Sequence, residues 1–449
     1  MSRRVFLLSP SGWGNLGDDA ILHAVTDWLH DSYPDADVIA ATLSPADTCR
    51  SLGVPSVALR GASIPGYHVK SHAICRARAG SDHEPQVVLT DSAPQAEDRN
   101  IIRRLLPVSI RKPLFMPLRV LRRIKAEIGH SLRIWRWLRR ARAVIVCGGG
   151  QLDEFWGGPW GHPLTLAIWA ALVRRRGVPF IVISVGAGQV KAGAARWLLA
   201  RALDGAKHVS VRDPRSARMT RTLMQEPFTE SRDIAFLLGR KMSLDAPQLP
   251  TERISVAFSP MAFARAGIWP RADENTYTAY FNAMRDCCAE WLSRGWSLTL
   301  YSTATMDRAT LLDLQEALQR NMPAHAGSVR VLPQGTVSDL ISALRQHHIC
   351  VAARLHGVIL SQLAVVPTVA IVHDWKVEEQ MKMAGHADFA LDIHGITAEG
   401  ILRAGDALLA HSSQVASGLS GFARNSLQTV LTDLRTLQPL LTRSGARNA

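Results

Sequence analysis

The sequence predicts an α/β protein made of two Rossmann-like, doubly wound domains facing a cleft. Three observations carry this. The chain has 449 residues, more than one ordinary core absorbs, so two domains of roughly 200 residues are expected. Short apolar runs alternate with stretches of helical spacing, the order that makes parallel sheets. Residues 240–253, with Pro247, Pro250 and few apolar side chains, read as a linker after which the alternation restarts. The expected domains are residues 1–240 and 253–449.

The first strand is residues 5–8, and residues 20–30 form a helix through Ile21, Leu22, Val25, Trp28 and Leu29. Between them Gly12, Gly14 and Gly17 satisfy G-x-G-x-x-G. A nicotinamide fold also needs an acid ending its second strand, yet residues 38–43 run into Ser44-Pro45. Asp18 and Asp19 would repel a pyrophosphate at the helix start and would stabilise the helix as caps. Two readings stay open, a glycine turn capped by Asn15 and Asp18, or direct ligand contact by Gly14, Asn15 and Asp18. Residues 51–98 are rich in Ser, Ala, Gly and Pro and show one strand, at 87–89.

Residues 99–142 hold 14 Lys and Arg against the single acid Glu127, and so carry 13 of the chain's 14 net positive charges. The nearly neutral remainder argues against a nucleic-acid partner and for one local basic element. Residues 118–138 read as an amphipathic helix with Arg122, Arg123, Lys125, Arg133 and Arg136 on its polar side. One reading lays it on an anionic membrane surface, for which Trp135 and Trp137 are suited; the other packs its apolar side on the domain, with the arginines lining an acidic-substrate cleft.

Residues 143–147 are a buried strand ended by Gly148-Gly149-Gly150, which permit close approach of backbone or ligand. The loop at 155–162 presents Trp156 and Trp160, rings on which the apolar face of a sugar can stack or which simply pack. A strand at 180–185, a helix at 193–203 and a strand at 209–211 lead to Arg212-Asp213, with Pro214 at a first helical turn. Arg212 is a ligand arginine or a member of a surface network with Asp213. Beyond the linker, strands fall at 254–258, 298–301, 329–332, 349–352 and 368–372. Residues 397–441 are helical, one helix returning to the first half.

Cys49, Cys75, Cys147, Cys287, Cys288 and Cys350 make no C-x-x-C pair, which disfavours a zinc site or disulfide framework and fits a reducing cytosol. His347-His348 and His373-Asp374 lack a convincing metal-ligand set. The longest apolar stretch, residues 358–372, is broken by Ser361, Gln362 and Pro367 and falls short of the roughly 20 residues of a membrane span. The chain is expected to be cytoplasmic, or peripheral on the inner face of the cell membrane.

The chemistry concentrates at Arg354-Leu355-His356-Gly357, a turn from a buried strand into a helix. A lone pair of this kind is often a cap or a hydrogen-bonded ring. Here Arg212, Arg354, His356 and Lys376 all fall at strand ends. Arginine forks suit carboxylate and phosphate oxygens, and a histidine suits proton transfer near neutrality. The residues alone imply an enzyme with a small, multiply anionic donor.

Gly12-Trp13-Gly14-Asn15-Leu16-Gly17-Asp18-Asp19, Gly148-Gly149-Gly150-Gln151 and Arg354-Leu355-His356 together resemble the polysaccharide pyruvyl transferase family. The resemblance implies a fold of the GT-B type, phosphoenolpyruvate as donor substrate with no separate cofactor, and a ketal product on two sugar hydroxyls. It implies Arg212 and Arg354 as donor-binding residues and His356 as catalytic. Gly14, Asn15, Asp18, Gly149, Gly150, Leu355 and Lys376 complete the substrate-binding expectation, and the acceptor is a saccharide, lipid-linked where it feeds a cell-surface polymer. Alternatives are a sugar-nucleotide glycosyltransferase on the same architecture and a non-catalytic component of a polysaccharide assembly complex.

Overall fold

The computed structural model describes residues 4–12, 14–62, 116–155, 157–249, 252–269 and 271–442. The strand expected at 87–89, the basic residues before position 116, Cys75 and Trp156 lie outside them. By contact the chain forms two units. The first comprises Met1–Trp13, Ile21–Ile234 and Thr432 onward, and the second Gly14–Ala20 and Ala235–Leu431.

In the first unit, β1 (Arg4–Leu8), β2 (Asp37–Thr42), β3 (Ser56–Ala58), β4 (Ala141–Cys147), β5 (Phe180–Val185), β6 (His208–Val211) and β7 (Thr229–Glu230) form one sheet. Its order is β3-β2-β1-β4-β5-β6-β7 and every pairing is parallel. The helices are α1 (Leu16–Ser32), whose first turn groups with the second unit, then α2 (Pro45–Leu52), α3 (Met116–Trp137), α4 (His162–Arg175), α5 (Gly193–Leu203) and α6 (Pro214–Thr220). Strands 144–147 and 180–185 are buried on both faces, which is why they are unbroken apolar runs rather than alternating ones. Their core includes Phe6, Trp169, Val146, Val182 and Leu199.

In the second unit, β8 (Ser255–Ser259), β9 (Ser297–Leu300), β10 (Val329–Val331), β11 (Ile349–Ala352), β12 (Thr368–Val372) and β13 (Ala390–Asp392) form a parallel sheet of order β10-β9-β8-β11-β12-β13. Its helices are α7 (Glu274–Ser293), α8 (Arg308–Asn321), α9 (Val337–Leu344), α10 (Leu355–Leu363), α11 (Trp375–Met383), α12 (Ala398–Ala410) and α13 (Ser412–Arg435), followed by α14 (Gln438–Thr442) in the first unit. Trp291, Phe258, Tyr280, Leu314 and Val351 centre the core. Strand order reverses between β8 and β11, so the turn after β11 opens at the switch point where doubly wound sheets bind ligands. Arg354 stands there.

Helix α3 is docked through its one acid. Glu127 accepts from Arg60 Nη2 at 3.0 Å and from the backbone N–H groups of Gly61 and Ala62, each at 3.1 Å. His130, Ile134 and Leu138 bury the same side. The two tryptophans expected at a membrane interface are instead engaged in packing. Trp135 lies under the Arg176 guanidinium at 3.4 Å, and Trp137 stacks on Phe6 at 6.3 Å. A large aromatic surface is worth more against the core than in water, which is why these rings turn inward.

Candidate active site

Within the second unit, residues 14–16 are held by the loop at 303–305. The Gly14 carbonyl accepts from Thr305 N at 2.9 Å and Thr305 Oγ1 at 3.1 Å, Asn15 bridges Ala304, and Leu16 N donates to the Thr303 carbonyl at 2.8 Å. Asn15 works as a cap: its Oδ1 accepts from Gly17 N at 3.1 Å and its Nδ2 donates to Asp18 Oδ2 at 2.8 Å. Gly17 lies directly against the ring of His356, and a Cβ there would overlap Nδ1 and Cγ of the imidazole. Two motifs more than 300 positions apart in sequence thus meet, and the histidine ring occupies the space that a side chain at position 17 would need.

Arg354 is the N-cap residue of α10, in extended conformation, while the helix N–H groups receive no side-chain cap from it. Its guanidinium forms a fork on Asp307, Nε to Oδ2 at 2.6 Å and Nη2 to Oδ1 at 2.9 Å. Asp307 is 1 % exposed against 21 % for Arg354, and it also accepts from Ala262 N at 2.9 Å. The carboxylate therefore fixes the plane of the guanidinium and spends two of its five N–H donors. Leu355 begins the helix, and residues Gly357, Val358, Ile359 and Leu360 behind it are buried, so the turn rests on a rigid base.

His373 is close enough to feel Arg354. Burial, and next the Arg354 guanidinium, push its pKa down to about 4, which keeps the ring neutral at pH 7 among Phe263 and Trp269. Lys376 lies in the first turn of α11, where Asp374 caps its backbone N–H at 3.1 Å and its Nζ sits 5.9 Å from the Trp375 ring. A cavity of about 240 Å³ in this unit is lined by Leu16, Thr305, Arg308, Arg330, Gln334 and Asp339, among others.

In the first unit the glycine run and Arg212 come together. The Gly149 carbonyl accepts from Gly186 N at 2.7 Å, and Gly186 faces the Arg212 guanidinium, where an added Cβ would stand 2.9 Å from Cζ. Gly150 continues the same turn toward Gln151, whose amide holds the carbonyls of Leu8 and Cys147. Arg212 donates through Nη1 to Asp233 at 2.9 Å and pairs through Nε with Asp213 at 3.4 Å. Burial opposes its charge, and the carboxylates of Asp233 and Asp213 more than offset this, so its pKa is raised. The network foreseen at the surface is thus real but buried, and it includes Asp233. Asp213 also caps α6, accepting from Ser216 N at 2.6 Å.

Asp307, Asp233, Gly17 and Gly186 were missed as site residues. The lone signal for Asp307 was an acid just before a helical stretch, which by itself says cap. Phe155 and Trp160 are exposed, at 66 % and 67 %, so for Trp160 the packing alternative is not what the fold shows. Among the described residues the five cysteines are buried and form no disulfide, and no helix is long and apolar enough to cross a membrane.

The model of the family described as polysaccharide pyruvyl transferase matches residues 15–374. Comparison with curated proteins finds no match. Among solved structures, the Anabaena protein HepE in complex with UDP shares 9 % identity over 98 % of this chain and 99 % of that chain, with a TM-score of 0.52. S. aureus MnaA with UDP shares 8 % identity over the whole of both chains, TM-score 0.54. UDP-GlcNAc 2-epimerase from Neisseria meningitidis, bound to UDP-GlcNAc, shares 8 % over 97 % of this chain and 100 % of that one, TM-score 0.54. At such identities the likeness is one of fold, the two-domain Rossmann-like α/β architecture of GT-B enzymes.

Proposed function

Because the chain belongs to the polysaccharide pyruvyl transferase family, and is accordingly a transferase, we propose that it moves pyruvate from phosphoenolpyruvate onto two hydroxyls of a saccharide as a cyclic ketal. The observation that carries this is Arg354-Leu355-His356 at the switch-point turn, inside the family-matched stretch, with the His356 ring seated on Gly17.

Phosphoenolpyruvate bears a carboxylate and a phosphate, and a planar guanidinium pairs with either. Arg354 binds one anionic end with the donors that Asp307 leaves unspent, and the family resemblance assigns Arg212 to the donor as well. Protonated His356 gives its proton to the methylene carbon of the enol, which becomes a methyl group while positive charge develops at C2. A sugar hydroxyl adds to C2 and returns its proton to the imidazole. The C2–O bond to phosphate then breaks, and a second hydroxyl adds to C2 and loses its proton to the departing phosphate. Donor and diol thus become ketal and inorganic phosphate. General acid catalysis of this kind supplies about 10² to 10⁴ in rate.

In the second unit the turn of Gly14, Asn15 and Asp18, Leu355 and the cation of Lys376 are assigned to substrate, and in the first unit the backbone of Gly149 and Gly150. Trp160 offers a ring face to the acceptor, a lipid-linked saccharide. The test is incubation of the purified protein with phosphoenolpyruvate and candidate lipid-linked saccharides. Phosphate release with a product heavier by one pyruvate less water is expected; release of nucleotide from a sugar nucleotide, with phosphoenolpyruvate untouched, overturns the reading. His356→Gln should retain the fold and lose turnover about 10²-fold or more.

A further inference from the structure

Among the described residues, one side of helix α3 packs on the first unit and another is exposed. Glu127, His130, Ile134 and Leu138 hold it to the first unit. A second side carries Val120, Leu121, Ile124, Ile128 and Leu132, which are 48, 49, 49, 57 and 56 % exposed. Five aliphatic side chains at helical spacing form one stripe, since residues three and four apart share a face. From Val120 to Leu132 it runs for about 18 Å along the helix. Arg122, Lys125 and Arg136 are exposed, and Lys125 and Arg136 border the stripe as the i+4 neighbours of Leu121 and Leu132. No acid accompanies them, because the one acid of the segment is turned inward to Arg60.

We infer that this face of α3 lies flat on an anionic lipid surface, its aliphatic stripe in the acyl boundary and its cations on the headgroups. The charge pattern selects that occupant. Solvated helices expose long polar side chains, whereas here nearly half or more of each of five aliphatic side chains is left in water beside cations. A nucleic acid would be met by stacking aromatics, and the aromatics of this helix are packed inward. An apolar face flanked by Lys and Arg, too short to span, is the arrangement of interfacial helices, where apolar burial and attraction to anionic lipids act together. The inference is independent of the donor chemistry proposed above.

The experiment is flotation of the full chain with vesicles of phosphatidylcholine alone and with phosphatidylglycerol added. Two variants accompany the parent, Ile124→Ser/Ile128→Ser/Leu132→Ser and Arg122→Gln/Lys125→Gln. All five substituted positions are exposed, and far-UV circular dichroism verifies folding. The parent should float with the anionic vesicles and remain behind with the neutral ones. Removing two cations should lower partitioning about 30-fold, and the serine variant should lose it. Equal binding to both vesicle types, no binding, or parental binding by both variants overturns the inference. So does an environment-sensitive dye on Ile128→Cys that vesicles leave unchanged, as it would be if residues 63–115 or a second copy of the chain covered the stripe.

Discussion

Gly17 touches the imidazole of His356 so closely that no Cβ fits between them. Position 17 is in the first turn of α1, where alanine is favoured over glycine by at most about 1 kcal/mol, the value for a helix interior. Gly17→Ala therefore separates two effects. Helix propensity improves, while the ring is displaced from its seat. Turnover should fall about 10²-fold, as for misplacement of a reacting group by about 1 Å, while the overlap costs no more than about 1–3 kcal/mol, as at an overpacked site, and leaves the protein folded. Steady-state kinetics beside a thermal melt measures both, and near-normal turnover would mean that His356 does not act from this position.

Arg354 and Asp307 give a stability test. Asp307→Ala strips a fork from a guanidinium whose partner is almost fully buried, and leaves Ala262 N without an acceptor. The expected cost is about 3–5 kcal/mol, read from urea denaturation. Asp307→Asn keeps an acceptor for Ala262 but turns an N–H toward the arginine, so it should fall between parent and alanine variant. A neutral result for Asp307→Ala would show that the fork does not hold the turn.

Acid sensitivity should trace in part to His162. Its Nε2 faces Gln151 Oε1 at 3.1 Å, an acceptor, so the ring donates there. Burial, helped by Arg60, pushes its pKa down to about 4. The unfolded chain takes up a proton near pH 6.5, so between those values it binds more protons than the folded one. Stability is complete above about pH 6.5 and declines as pH falls toward 4, by on the order of 3 kcal/mol for this group. His373 acts in the same direction. His162→Gln should flatten the dependence of the urea midpoint on pH between 7 and 5; an unchanged slope would assign the effect elsewhere.

Trp160 offers a test on the acceptor side. Its ring is exposed, and its carbonyl accepts from Arg60 Nη2 at 3.4 Å. Trp160→Ala should alter stability by less than about 0.5 kcal/mol and raise the acceptor KM about 3- to 10-fold, the worth of one ring contact, with the phosphoenolpyruvate KM unaffected. A parental acceptor KM would remove Trp160 from the site.

Much of the scaffold was legible because buried parallel strands need apolar residues on both faces. Residues 180–185, 349–352 and 368–372 form strands with the expected limits. Ser56–Ala58, Thr229–Glu230 and Ala390–Asp392 were missed, because at two or three residues each they have no measurable period and take their conformation from the neighbouring strand. The site was legible in its chemically loud members. Arg354, His356 and Arg212 stood out at strand ends, whereas the carboxylates that orient the arginines did not. Asp307 is 47 positions from Arg354 and Asp233 is 21 from Arg212, separations that no local pattern encodes.

The attachment of α3 by one carboxylate and one inward side has an evolutionary corollary. Since Glu127 and a few inward side chains fasten the helix, exchanges at the exposed Ile124, Ile128 and Leu132 leave that attachment intact. Their lettering can drift under selection for whatever the helix meets outside, as an address label is rewritten without rebuilding the parcel.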